Sequence, residues 1–228
     1  MQPYFAPYAG YYRLLAAADV FVIYDCVQFP RRGWVHRNRL TDQTGELAWL
    51  TLPLVHAPFE ARIDELVFAP DAAERMAAQI RRFPALGGAA EPSRRLLNAG
   101  PFAGTLVDYL ERQLEAVKSM LGLRCRLVRS SALGVGPELR GQARILEIAS
   151  QLGATDYVNA PGGRELYDAQ AFAARRIRLH FLAEWKGPTP SLLQALAGRD
   201  PALVAADILD QTPDLWDPGY SAAAALGA

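Results

Sequence analysis

Residues 20–24 read VFVIY, an unbroken run of β-branched and aromatic side chains. A strand with no polar face must be covered on both faces. That requires helices on either side of a sheet, and so an α/β architecture. The region from 105 to 185 agrees. FAGTLVDYLERQLEAVKSML (102–121) and GPELRGQARILEIASQLGA (136–154) carry apolar residues at helical spacing, and RCRLVRSS, DYVNAP and RLHFLAEW read as short strands between and after them. The expected fold is a Rossmann-like parallel or mixed sheet flanked by helices over residues 1–186. A small helical C-terminal portion, 187–228, is expected to pack on that domain, with SLLQALAG and ALVAADILDQ as its helices.

The remaining stretches read as follows. MQPYFAPYAGYY is a loop, with a helix starting near Gly10 or Tyr11. QFPRRGWVHRNRL is a loop, and a turn at Asp42 to Gly45 precedes a strand in GELAWLTLPLV. Residues 63–68 form a further short strand. DAAERMAAQIRRF is a helix capped by Asp71, and PALGGAAEPS is a flexible connector.

The chain has 228 residues, 24 basic and 24 acidic, so no overall charge draws it to nucleic acid or an anionic membrane. No run of about 18 apolar residues is present to span a bilayer. No basic, apolar and small-residue sequence resembling a secretion signal opens the chain. The two cysteines, Cys26 and Cys125, are too few for a disulfide framework, which points to a reducing, cytoplasmic setting. No zinc-ligand spacing, GxGxxG or Walker loop occurs, so no metal and no cofactor is expected.

Ligands of α/β sheets collect at the carboxyl ends of the strands. Asp25 and Cys26 stand at that end of VFVIY, and His36 follows in a loop with Arg31, Arg32, Arg37, Asn38 and Arg39. Two readings of Cys26 stand: a small buried hydrophobe, or a thiolate activated by His36 and the arginine field. The arginines are either a solvated face or a bidentate clamp for carboxylate or phosphate. Of the other histidines, His180 alternates within a strand and reads as structural, and His56 lies in a Pro-containing loop. Gln2, Tyr4, Tyr8 and Tyr11 either pack a loop or face a ligand. Asn159 to Gly163, NAPGG, is either a plain turn or a ligand-facing strand end. Cys125 reads as a core thiol.

Three stretches carry a family likeness: MQPYFAPYAGYY, then DVFVIYDCVQF with RRGWVHRNRL, and TDYVNAPGGRELYD at 155–168. With these the chain resembles the WbqC-like family, over about its first 60 residues and 140–182. The resemblance implies a bacterial cytoplasmic protein linked to biosynthesis of surface glycans and related products, with acyl or aminoacyl transfer one proposed chemistry. It marks Gln2, Pro3, Tyr4, Gly10, Tyr11, Asp25, Gln28, Arg37, Asn38, Asn159, Gly162, Gly163 and Tyr167 as pocket positions. Two departures stand out. Cys26 replaces a polar or acidic residue, and His36 replaces an asparagine, so a nucleophile and a base arrive together. Family members also carry apolar residues ahead of Gln2 as a first strand, which here is absent or the chain begins late. A weaker likeness places PYAGY where nucleotidyltransferase-like enzymes carry H-x-G-H, with tyrosines for histidines.

The leading expectation is an enzyme of acyl transfer or acyl cyclisation acting on a thioester-activated intermediate. Cys26 would be the nucleophile, His36 the base, and Asp25 would orient His36 or bind the amine. Gln2, Tyr4, Tyr11, Gln28, Arg37, Asn38, Asn159, Gly162, Gly163 and Tyr167 would bind the substrate, a small molecule delivered on an acyl carrier protein or coenzyme A. A nucleotide- or sugar-nucleotide-dependent transferase with Asp25 as base, and a non-catalytic binding protein, are the alternatives.

Overall fold

A computed structural model describes residues 1–87, 91–212 and 215–216. A 3-10 turn, Ala9–Tyr12, leads into helix α1 (Arg13–Ala16) and strand β1 (Val20–Ile23). Strands β2 (Arg37–Thr41) and β3 (Leu47–Thr51) form an antiparallel hairpin. Helices α2 (Ala72–Ile80), α3 (Pro84–Gly87), α4 (Glu91–Leu97) and α5 (Leu106–Met120) follow. Then come β4 (Arg126–Arg129), α6 (Gly141–Gln151), β5 (Asp156–Asn159), α7 (Ala169–Ala173) and β6 (Arg178–Leu182). Helices α8 (Leu192–Gly198) and α9 (Pro201–Asp210) lead to β7 (Leu215–Trp216).

The fold is mixed α/β, with parallel and antiparallel sheets flanked by helices and with helices toward the C-terminus. Strand β1 pairs parallel with β4, and β5 pairs parallel with β6, whose other edge takes β7 antiparallel. These pairs and the hairpin are three separate sheets. A cleft of about 360 Å³ lies between β1 and β5. Arg126 N–H donates to Asp19 C=O at 2.8 Å, which turns the backbone of Phe21 and Ile23 toward β4 and that of Val20 and Val22 toward the cleft. Likewise Arg178 N–H donates to Thr155 C=O at 2.9 Å, leaving Asp156 and Val158 facing the cleft from the other side. Met1 occupies one position beside β1. Its amine donates to Val22 C=O and its C=O accepts from Tyr24 N–H, each at 2.9 Å. Burial pushes that amine down to about 5.

Several expectations change. The stretch 37–40, expected as the end of a loop, belongs to β2: Asn38 and Leu40 are buried while Arg39 is exposed, the period-two pattern of a strand. Residues 63–68 are not a strand but a 3-10 turn, Ile63–Glu65, followed by isolated bridges that pair Val67 with Thr105 and Phe68 with Leu54. The expected connector from Pro84 contains α3 and α4 on either side of residues 88–90, which lie outside the described residues. Helix α5 begins at the Thr105 cap, whose hydroxyl accepts from Asp108 N–H at 3.2 Å.

The main core gathers residues from α1, β1, the hairpin, α4, α5 and the C-terminal helices α8 and α9. A second apolar cluster joins α6, α7, β5 and β6 around Phe172 and Phe181. The β1–β4 register aligns Ile23 with Arg129. The carboxyl ends of two strands far apart in sequence therefore emerge side by side.

Candidate functional site

At that shared end Asp25 and Cys26 meet Ser130 and Ser131. Asp25 is fully buried and its carboxylate accepts three hydrogen bonds. Oδ1 accepts from Ser130 Oγ at 2.8 Å and from Ser131 N–H at 2.9 Å, and Oδ2 accepts from Ser131 Oγ at 2.7 Å. Ser130 Oγ in turn accepts from the backbone N–H groups of Asp25 at 3.1 Å and Cys26 at 3.3 Å. The same Oγ lies 3.1 Å from Cys26 Sγ. A half-buried thiol, a hydroxyl and a buried carboxylate thus form one continuous chain of contacts.

Helix α6 adds Arg144. Its Nη1 donates to Cys26 C=O at 3.1 Å and approaches Sγ at 3.5 Å, and Nη2 donates to the carbonyls of Gly136 and Pro137. Helix α6 thus sets a buried guanidinium beside the sulfur. Burial, together with the neighbouring Cys26, raises the Tyr24 phenol, and Arg144 opposes the shift. A cleft of about 890 Å³ opens at Cys26, lined by Gln28, Phe59, Arg62, Ser130, Ser131 and Arg144 among others.

The other expected site residues fall in different places. Gln28 borders the Cys26 cleft, donating from Nε2 to Phe59 C=O at 2.9 Å. Asn159, Gly163 and Tyr167 form a cluster at the end of β5. Asn159 Nδ2 donates to Tyr157 Oη at 3.3 Å, and Tyr157 Oη donates to Tyr167 Oη at 3.4 Å. A Cβ on Gly163 would meet Asn159 Nδ2 at 2.9 Å, so only glycine lets the amide lie there. Gly162 stands in open space. Gln2 C=O accepts from Tyr11 Oη at 2.8 Å, and the Tyr4 and Tyr11 rings lie 5.6 Å apart, so these three pack the N-terminal loop against the core.

His36 and Asn38 are not brought to the thiol. The Asn38 amide is buried, donating to the carbonyls of Phe5 at 2.9 Å and Ala6 at 2.8 Å. His36 packs edge-on against Phe29 with ring centroids 4.9 Å apart and lines a separate cavity with His56 and Arg31. Burial, and then Arg37, push its imidazole down to about 4. Among the described residues no hydrogen bond links it to Cys26, whose side-chain neighbours are Ser130 and Arg144. Arg37 lies 4.1 Å over the Trp49 ring and donates to the carbonyls of Gly33 and Arg32. His180, read as structural, bonds Asp156 at 2.8 Å, and Cys125 is buried.

Sequence reasoning passed over Ser130, Ser131, Arg144 and Tyr24. The available signal was positional: Ser130 and Ser131 close the strand run RCRLVRSS as Asp25 and Cys26 close VFVIY.

No solved structure matches the chain. It is 29% identical over 217 residues to an uncharacterized protein, Rv1507c, of Mycobacterium tuberculosis, covering 92% of this chain and 90% of that one. The profile of the WbqC-like protein family matches residues 2–189, a span that holds Asp25, Cys26, Ser130, Ser131, Arg144 and the Asn159–Tyr167 cluster together. By that match the chain belongs to the WbqC-like protein family.

Proposed function

We propose that this protein is a biosynthetic enzyme of acyl transfer or acyl cyclisation that forms an acyl-thioester on Cys26. The observation that carries it is the contact chain from Cys26 Sγ through Ser130 Oγ to the buried Asp25 carboxylate, with Arg144 beside the sulfur. The sulfur attacks the carbonyl carbon of a thioester donor, forming one C–S bond while the bond to the donor's sulfur breaks. The thiol proton passes to Ser130 as the Ser130 proton moves to Asp25, and it returns to the departing thiolate. An amine, alcohol or carbon nucleophile then takes the acyl group and gives its proton back to Cys26 by the same route. Arg144 stabilises the thiolate. In this scheme the proton goes to the Ser130–Asp25 pair rather than to His36, because those groups touch the thiol. The substrate is a small molecule carried on coenzyme A or an acyl carrier protein, in a natural-product or surface-glycan pathway.

A second reading has its own support: Arg140 and Arg144 line the cleft, guanidinium groups suited to phosphates, while Arg62 there is paired with Asp64 and Glu65. That favours a nucleotide- or sugar-nucleotide-dependent transferase without a covalent step. Intact-mass spectrometry after incubation with short-chain acyl thioesters separates the two. The covalent scheme expects one acyl adduct, absent in Cys26→Ala. Full turnover by Cys26→Ala, or thermal stabilisation by nucleotides but not by thioesters, favours the second reading. A Cys26 thiol that resists alkylation at neutral pH favours a binding protein without turnover.

A further inference from the structure

The outward face of the β2–β3 hairpin is unlike the rest of the surface. Among the described residues, nine large apolar side chains are exposed; Leu47 and Trp49 stand on this face with Trp34 against Trp49, and Val55 and Phe59 lie on the loop that follows β3. Arginines stand among them. Arg39 pairs across the hairpin with Trp49, and its guanidinium lies 5.3 Å from that ring and 5.7 Å from Trp34. Arg37 covers Trp49 at 4.1 Å, and Arg31 lies 5.9 Å from Phe59. From residue 26 to 41 the chain has four arginines and no acidic residue, in a protein whose total charge is zero. Among the described residues no ion pair engages Arg31, Arg32, Arg37 or Arg39. The acidic side chains of this region, Asp42 and Glu46, belong to the hairpin turn, and Glu60 follows Phe59.

Exposed tryptophan and arginine in one patch are the residue types that anchor protein interfaces. The patch is also joined to the Cys26 cleft. Gln28 and Phe59 line that cleft, and the same loop carries Arg31, Arg32 and Trp34 on toward the hairpin. Its two ends are tied down by Arg37, which holds the carbonyls of Arg32 and Gly33, and by Gln28, which holds Phe59. Nucleic acid fits less well. Bases bind by stacking on open aromatic faces, and here guanidinium groups already lie over the Trp49 and Trp34 rings. The Arg37 guanidinium is spent on the carbonyls of Arg32 and Gly33, but among the described residues no hydrogen bond or ion pair takes up the exposed Arg39 guanidinium, a group that suits carboxylates.

We propose that this hairpin face docks an acidic carrier protein, which presents its thioester-linked acyl group to the Cys26 cleft; the carrier's cargo follows from the acyl-transfer reading above, whereas the docking stands on the face itself. The test is fluorescence anisotropy with the acidic acyl carrier proteins of the source organism, each labelled and titrated in turn. Binding is measured on the natural chain, on Cys26→Ala, and on Arg32→Glu/Arg39→Glu and Trp49→Ala. At least one carrier is expected to bind the natural chain and Cys26→Ala alike. Kd should rise about tenfold or more in each hairpin variant, and about tenfold as salt rises from roughly 50 to 300 mM. Arg39→Gln, which removes charge without reversing it, gives an intermediate loss and guards against misfolding of the double variant. The proposal is overturned if no carrier binds, if carriers bind the hairpin variants as well as the natural chain, or if labelled single-stranded RNA is what the variants lose. Because Cys26→Ala is measured in parallel, an inert Cys26 sinks the chemistry without touching the docking result.

Discussion

Asp25 shows how a single residue can organise a site while remaining out of sight. Its two oxygens take three donors from Ser130 and Ser131, so it fixes the loop after β4 against the loop after β1. Asp25 and Cys26 were legible in the sequence because they end an apolar strand. Ser130 was not, because its partner is 105 positions away and the meeting depends on parallel pairing of β1 with β4. His36 was legible as a chemically capable side chain but not as a half-buried one: flanking arginines read as solvent, while Phe29 packs edge-on against the ring. Its imidazole is held down to about 4, against an ordinary value of 6.5, by burial and by Arg37. The unfolded chain therefore takes up this proton first as pH falls. Stability from neutral His36 is complete above pH 6.5 and drains away as pH drops toward 4. Thermal melts of the natural chain and His36→Gln across that window should converge or cross as the pH falls. Parallel curves would show that the ring is not held neutral.

At the scale of elements, amphipathic helices were the easiest to read. Helix α5 buries Leu106, Tyr109, Leu110, Leu114 and Val117 at the spacing its sequence displays, with Thr105 as cap. The hairpin was only half legible. RNRLT alternates in burial, yet one of its two inward residues is an asparagine, and hydrophobic periodicity is blind to a buried amide. That amide has a structural task. It satisfies the carbonyls of Phe5 and Ala6 where the N-terminal loop turns through Ala6, whose φ is 41°. The Asn38→Ala chain leaves the Phe5 carbonyl without this donor, while the Ala6 carbonyl keeps Ser191 Oγ and Leu192 N–H; the cost is about 1–3 kcal/mol. The expected fall in Tm is roughly 2–12 °C, read by differential scanning fluorimetry. A fall below about 1 °C would mean that the Phe5 carbonyl finds another donor and that the hairpin does not hold this loop.

At the scale of the molecule, an α/β arrangement could be read from alternating strands and helices, but which strands are neighbours could not. The order depends on crossovers, and the cleft between β1 and β5 divides what strand counting alone would place in one sheet. The C-terminal helices were legible in SLLQALAG and ALVAADILDQ, and they are α8 and α9. Weak periodicity does not show how deeply they enter the main core. Ser191 Oγ donates to Ala6 C=O at 2.8 Å, Ser93 Oγ donates to Leu193 C=O at 2.7 Å, and Gln194 Oε1 accepts from Thr41 N–H at 3.1 Å. The buried Arg13 reaches across to the carbonyls of Ala183 and Gln211. Leu192, Leu193, Leu196, Val204 and Ile208 are each no more than 3% exposed. Removing five such side chains forfeits about 8–15 kcal/mol of apolar burial, which is about the whole stability of a typical domain, roughly 5–15 kcal/mol. A chain ending at Lys186 is therefore expected to lack a cooperative thermal transition and to bind a hydrophobic dye at room temperature. If it instead melts cooperatively within a few degrees of the full chain, these helices are an accessory layer, and the core formed by α1, the hairpin, α4 and α5 is sufficient by itself.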